Sequence, residues 1–167
     1  DPPYGIINPK RVEGFPGKMM YGGCNVFKYE PKTKLLEALV TDMERPNGIA
    51  LSPDESQLFI SNTGDTKYIR RYEIDKDLKI SKPIEFAKSD PEHVFDGFRF
   101  DVDNNLWTSC GKGVACYASS GEQIGYIKIP ELVSNVDFGG AEGNTLFITA
   151  STSFYMANLN IKGAKFK

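Results

Sequence analysis

The residues best placed to do chemistry are Asn47, Asp96 and Asn135, each standing just ahead of an apolar run in a copy of one short pattern. The first copy reads RPNGIALSPDESQLFISN from Arg45, the second DGFRFDVDNNLWTSCGKG from Asp96, and the third NVDFGGAEGNTLFITASTS from Asn135. Laid over one another, they bring Leu58-Phe59, Leu106-Trp107 and Leu146-Phe147 together, and the turns between carry Asp54-Glu55, Asp103-Asn104 and Glu142-Gly143. Carboxylate and amide oxygens that converge on one point suit a hard divalent cation such as Ca²⁺ or Mg²⁺. A lone Asn or Asp before a strand serves equally to cap a turn. Recurrence in register is what favours a site.

Other motifs carry less. His93, the one histidine, lies three residues before Asp96 in a loop and is a candidate substrate contact. Asp101-Val102-Asp103-Asn104-Asn105 resembles the start of an EF-hand loop, but its sixth position is Leu106 and its twelfth Lys112, so it reads as a turn between strands. No nucleophile elbow, phosphate-binding loop or dinucleotide fingerprint occurs. Cys24, Cys110 and Cys116 are odd in number and lack metal-site spacing, which predicts buried free thiols and leans toward a reducing compartment, the cytoplasm.

The elements that must position these residues are short strands. Each copy is a hairpin: Pro53 and Asp54 supply turn chemistry, and Leu58-Phe59-Ile60 is a β-prone apolar run. The copies recur at 47, 96 and 135, spacings of 49 and 39 residues, the signature of a β-propeller blade. Further strands are expected at 22–30, 35–40, 68–74, 80–86, 113–118, 123–129 and 153–159. Strands then group as two, four, four and three, about three blades of an all-β propeller. A compact sandwich of about 13 strands is the alternative. Residues 1–23, rich in Pro and Gly, read as a long loop, in which Tyr4 and the following segment could cover the channel mouth.

These residues carry a resemblance. Arg45-Pro46-Asn47-Gly48, the SPDES turn, Asp96-Gly97 before FRFDVDNNLW, VSNVDFGG before LFITAS, and the opening DPPYG resemble the SMP-30/gluconolactonase/LRE family over essentially the whole chain. The resemblance implies a six-bladed propeller with a catalytic divalent metal in its channel. Residues 1–167 then form its C-terminal portion, with the N-terminal blades absent. It also implies metal-dependent hydrolysis of a small-molecule lactone, a sugar lactone or a relative. By the same resemblance Asn47 and Asp96 are metal ligands, and Asp96 is the candidate to take a proton from water. Asn135, with His93, is held as a substrate contact. The family's remaining ligands lie upstream, so this fragment alone is expected to be inactive. Calcium leads the cation choices, followed by Zn²⁺, Mg²⁺ and Mn²⁺, since oxygen donors argue only against the softest metals. Hydrolysis of organophosphorus fluorides or other esters at the same metal, or a metal-binding propeller without catalysis, are the rival functions.

Bulk properties narrow the classes. With 40% hydrophobic and 25% charged residues the chain is ordinary for a globular domain. A net charge of −2, with Lys and Arg scattered, gives no reason to expect nucleic acid or an anionic membrane surface as partner. No apolar stretch approaches the roughly 20 residues needed to span a bilayer as a helix.

Overall fold

The computed structural model describes Tyr4, Gly17, Met19 and residues 21–90 and 92–166. Strands β1 (Val26–Glu30) and β2 (Leu35–Val40) pair around the turn at 31–34. Four strands follow: β3 (Pro46–Leu51), β4 (Gln57–Thr63), β5 (Lys67–Glu73) and β6 (Ile84–Lys88). The next four are β7 (Phe95–Phe100), β8 (Leu106–Cys110), β9 (Gly113–Tyr117) and β10 (Gln123–Lys128). Then come β11 (Val133–Gly139), β12 (Thr145–Ala150) and β13 (Phe154–Asn158), with a short 3₁₀ turn at Ala164–Phe166. Each group is one antiparallel sheet whose strands neighbour in chain order. The expected two, four, four and three strands are present, in the arrangement of propeller blades.

Turn chemistry closes the hairpins. In the first, Ser52 Oγ donates to Asp54 Oδ1 at 2.6 Å, and the Ser56 N–H donates to the same oxygen at 3.1 Å. These bonds hold the Asp54 carboxyl down at about 2. In the second, Asp101 is 1% exposed and accepts from the N–H groups of Asp103 and Asn105, from Asn105 Nδ2 and from Trp107 Nε1, all at 2.8–3.0 Å. The run that resembles an EF-hand is thus a turn closed by its own first aspartate. One outer strand begins later than expected, at Ile84 rather than Ile80. Pro83 has no N–H for the ladder, and Ser81 Oγ accepts the Glu73 N–H at 3.0 Å, so Ile80 makes only an isolated bridge with Ile74.

Apolar layers join the sheets. Val26, Val40 and Met43 meet Leu58, Ile60 and Tyr72 between the first two sheets. Phe59, Phe86, Phe95, Phe98 and Phe100 fill the space between the second and third. The Phe59 ring meets Phe86 edge-on at 5.0 Å and Phe100 at 4.9 Å. Val114 and Ile129 pack on Val136, Phe138 and Leu146 between the third and fourth. Covered on both faces, β4 and β9 are buried along nearly their whole length; Leu58-Phe59-Ile60 and β9 do not alternate with exposed polar residues, and the buried end of β4 is Ser61-Asn62-Thr63. Full burial of one such side chain contributes about 1.5–3 kcal/mol. The first strands of the last three sheets lie side by side, with β7 packed against both β3 and β11. The three cysteines are free and buried, as expected, and burial pushes the Cys116 thiol up to about 12.

Candidate active site

A bulge in each first strand aims one side chain out of the ladder. Pro46 faces Asn62 and Ile49 faces Ile60, so Asn47 and Gly48 share one partner position. Phe95 faces Cys110 and Phe98 faces Thr108, which does the same for Asp96 and Gly97. In the third copy Val133 faces Ala150 and Val136 faces Ile148. The residue in register with Asn47 and Asp96 is therefore Ser134. Asn135 is in register with the glycines, one position later than the sequence overlay put it. The overlay slipped because the hairpins differ in length: the residue facing the leucine is Leu51 for Leu58, Phe100 for Leu106 and Phe138 for Leu146, which leaves six, five and seven residues between.

Asn47, Asp96 and Ser134 line one cleft of about 550 Å³, together with Tyr4, Thr63 and Glu92. Its floor is held by hydroxyls that the sequence reading passed over. Ser61 Oγ accepts the Gly48 N–H at 2.7 Å and donates to the Asp96 carbonyl at 3.0 Å, tying neighbouring sheets together. Ser109 Oγ accepts the Asp96 N–H at 2.9 Å. Both serines are completely buried. A signal for them existed: a small hydroxyl residue stands three places after the leucine in every copy, at Ser61, Ser109 and Thr149. The two glycines permit the close approach. A Cβ on Gly48 would collide with the Asp96 carbonyl oxygen and the Phe98 ring, and one on Gly97 would collide with the Asn135 amide.

Burial pushes the Asp96 carboxyl above its ordinary range. Among the described residues no hydrogen-bond donor meets that carboxylate, and none engages the Asn47 amide. Two oxygen-bearing groups with free lone pairs, one of them a half-buried anion, fit part of the donor set of a hard divalent cation. Among the described residues no three of His, Cys, Asp and Glu gather as a complete metal site. On one wall the Tyr4 hydroxyl bonds Thr63, and the Arg45 guanidinium lies 5.6 Å from the Tyr4 ring centre. The rest of the segment expected to cover the mouth lies largely outside the described residues. The opposite rim is clasped by Glu131, whose carboxylate accepts from Thr152, Ser153 and Tyr155 and is held down at about 2 by those bonds.

The other two expected contacts are placed elsewhere. Asn135 is not among the residues lining this cleft; its side chain lies over Gly97, and its Oδ1 accepts the Val136 N–H at 2.9 Å. His93 rests against Gly111 and lines a second cleft with Asp90, Cys110, Gln123 and Tyr126.

A profile of the SMP-30/gluconolactonase/LRE-like region matches residues 12–152. The chain belongs to that family. It is 35% identical over 161 residues to a gluconolactonase of Zymomonas mobilis, covering 90% of this chain and 44% of that one. The solved structure of a Xanthomonas campestris gluconolactonase superposes with a TM-score of 0.83 at 31% identity, covering 98% of this chain and 52% of that one. The lactonohydrolase oryH of Aspergillus oryzae is 24% identical over 166 residues, 84% of this chain and 35% of its own. The chain thus spans about half the length, or less, of the relatives it matches.

Proposed function

We propose that the protein hydrolyses a sugar lactone or a related lactone in this cleft, with one divalent cation held in part by Asn47 and Asp96. One observation carries the reading: two bulge residues at the same register of neighbouring strands, an amide and a donor-less half-buried carboxylate, open into one cleft. Gluconolactonase and lactonohydrolase relatives support the reaction class. A half-buried carboxylate without a donor is partly desolvated, and a cation is its chemical complement. Oxygen ligands favour calcium, with magnesium, manganese and zinc as alternatives that a titration separates.

The bound cation supplies Lewis acidity toward the lactone carbonyl. The chain's own residues hold and move the proton. Asn47, a neutral oxygen donor fixed by the bulge, adds no proton chemistry. Asp96 accepts a proton from the attacking water, while the serine bonds to its N–H and C=O keep its backbone still. The water oxygen bonds to the carbonyl carbon, the ring C–O bond breaks, and the ring oxygen takes up the proton that Asp96 had accepted, which returns Asp96 to the carboxylate. The open hydroxy acid leaves.

The test is calorimetric titration of Ca²⁺ and Zn²⁺ into the full-length protein, with gluconolactone hydrolysis followed alongside. Asn47→Ala and Asp96→Ala are expected to weaken cation binding tenfold or more, and Asp96→Ala to cut turnover by about 10² or more. Undiminished lactone turnover in Asp96→Ala would refute the assignment. Hydrolysis of a fluorophosphate without any lactone opening would replace the substrate class.

A further inference from the structure

We infer that Ser134 is a specificity residue of this cleft, accepting a hydrogen bond from a ring hydroxyl of the substrate; the inference rests on the lactonase reading. Three observations support it. The pairing register makes Ser134 the counterpart of Asn47 and Asp96, so the same bulge that aims those two at the cleft aims Ser134. Ser134 lines that cleft and is exposed to it, whereas Asn135 is turned onto Gly97.

The third observation concerns hydrogen-bond polarity. Ser134 Oγ lies 3.2 Å from the Thr149 carbonyl oxygen, which can only accept, so the serine proton is directed there. Thr149 Oγ1 donates to the Asn135 carbonyl oxygen at 3.3 Å and lies 2.9 Å from Ser134 Oγ, so it too accepts the serine proton, which is shared between the two Thr149 oxygens. With its proton committed to the strand, Ser134 presents lone pairs to the cleft. It is an acceptor without a donor to offer, and it matches a hydroxyl group that gives its proton. A polyhydroxylated lactone carries such groups and a plain aliphatic lactone carries none. A site built to pair with a hydroxyl discriminates against the analogue that lacks it.

The experiment compares kcat/KM for gluconolactone and for δ-valerolactone in the full-length protein and in Ser134→Ala and Ser134→Thr, with calcium binding measured on each. Ser134→Ala is expected to lower the ratio of gluconolactone to δ-valerolactone efficiency roughly fivefold, the size of one neutral hydrogen bond. The change falls on KM rather than kcat, and calcium affinity stays within twofold. Ser134→Thr, which keeps the oxygen, is expected to restore the ratio. An unchanged ratio, or equal losses on both lactones, overturns the inference while leaving the lactonase reading intact. If the unsubstituted protein opens neither lactone, the lactonase reading fails and takes the role of Ser134 with it.

Discussion

Replacing Gly48 with alanine tests the joint that sets the cleft. The added Cβ would sit 2.8 and 2.9 Å from two carbons of the Phe98 ring, and nearer still to the Asp96 carbonyl oxygen. Carbon atoms normally meet at about 3.5–4.0 Å, so the ring contact alone is about 0.7 Å too short. Neither neighbour can yield easily. Phe98 is fully buried in the aromatic layer, and the Asp96 carbonyl is held by Ser61 Oγ. Relief requires β3 and β7 to separate. Overpacking of a tight core costs about 1–3 kcal/mol, and collision with backbone puts this site near the upper end, about 3 kcal/mol. For a chain of this size that corresponds to a melting-temperature drop on the order of 6–12 °C. On the lactonase reading, a shift approaching 1 Å between Asn47 and Asp96 would also cut turnover by about 10². Scanning calorimetry on Gly48→Ala, with Gly125→Ala beside it, measures the first effect. A Cβ on Gly125 meets only Cys116 Cβ, at an ordinary 3.5 Å, so that variant should stay within about 0.5 kcal/mol of the parent. If the two variants melt together, the inference that Gly48 sets the spacing between sheets is wrong.

Two further outcomes follow from named groups. Burial raises the Asp96 carboxyl above its ordinary 3.8, so in chelator the protein should lose stability as the pH rises from about 3.8 through that raised value, because the unfolded chain ionises first. Asp96→Asn cannot ionise; the gap between its melting temperature and that of the parent should widen in its favour as the pH climbs, and a gap independent of pH would exclude the buried-carboxylate account. Asp101→Ala strips the acceptor from Trp107 Nε1 and from two backbone N–H groups in a buried turn, and should cost about 3 kcal/mol by denaturant unfolding monitored by tryptophan fluorescence. A loss under about 1 kcal/mol would mean that water replaces the carboxylate there.

The hairpins were legible because their turns announce themselves. Pro53 with Asp54 and Ser56, and Asp101 with Asn105, are short-range chemistry, and the Leu-aromatic pairs fix where the second strands begin. The shared register of Asn47 and Asp96 is legible for the same reason, each preceding a glycine at the start of a strand. The third position was misplaced by one residue because register is decided by cross-strand pairing, and a hairpin one residue longer moves it without changing the look of the sequence. Ser61 and Ser109 carry no signature within a single copy, and only the overlay of all three shows a hydroxyl residue three places after each leucine. Its value lies in the neighbouring sheet's backbone, which no window along the chain contains. His93 was judged by its distance in sequence from Asp96, and three residues of loop were enough to carry it to a different cleft.

The glycine at position 48 has a consequence for how such a protein can diversify. Because the spacing between Asn47 and Asp96 is dictated by strand-to-strand contact beneath the cleft, it does not depend on the loops that surround the opening. The Ser134 side chain takes no part in that contact, so a substitution there leaves the spacing of Asn47 and Asp96 in place. On the reading proposed above, recognition of the guest and the chemistry done on it fall to different parts of the chain.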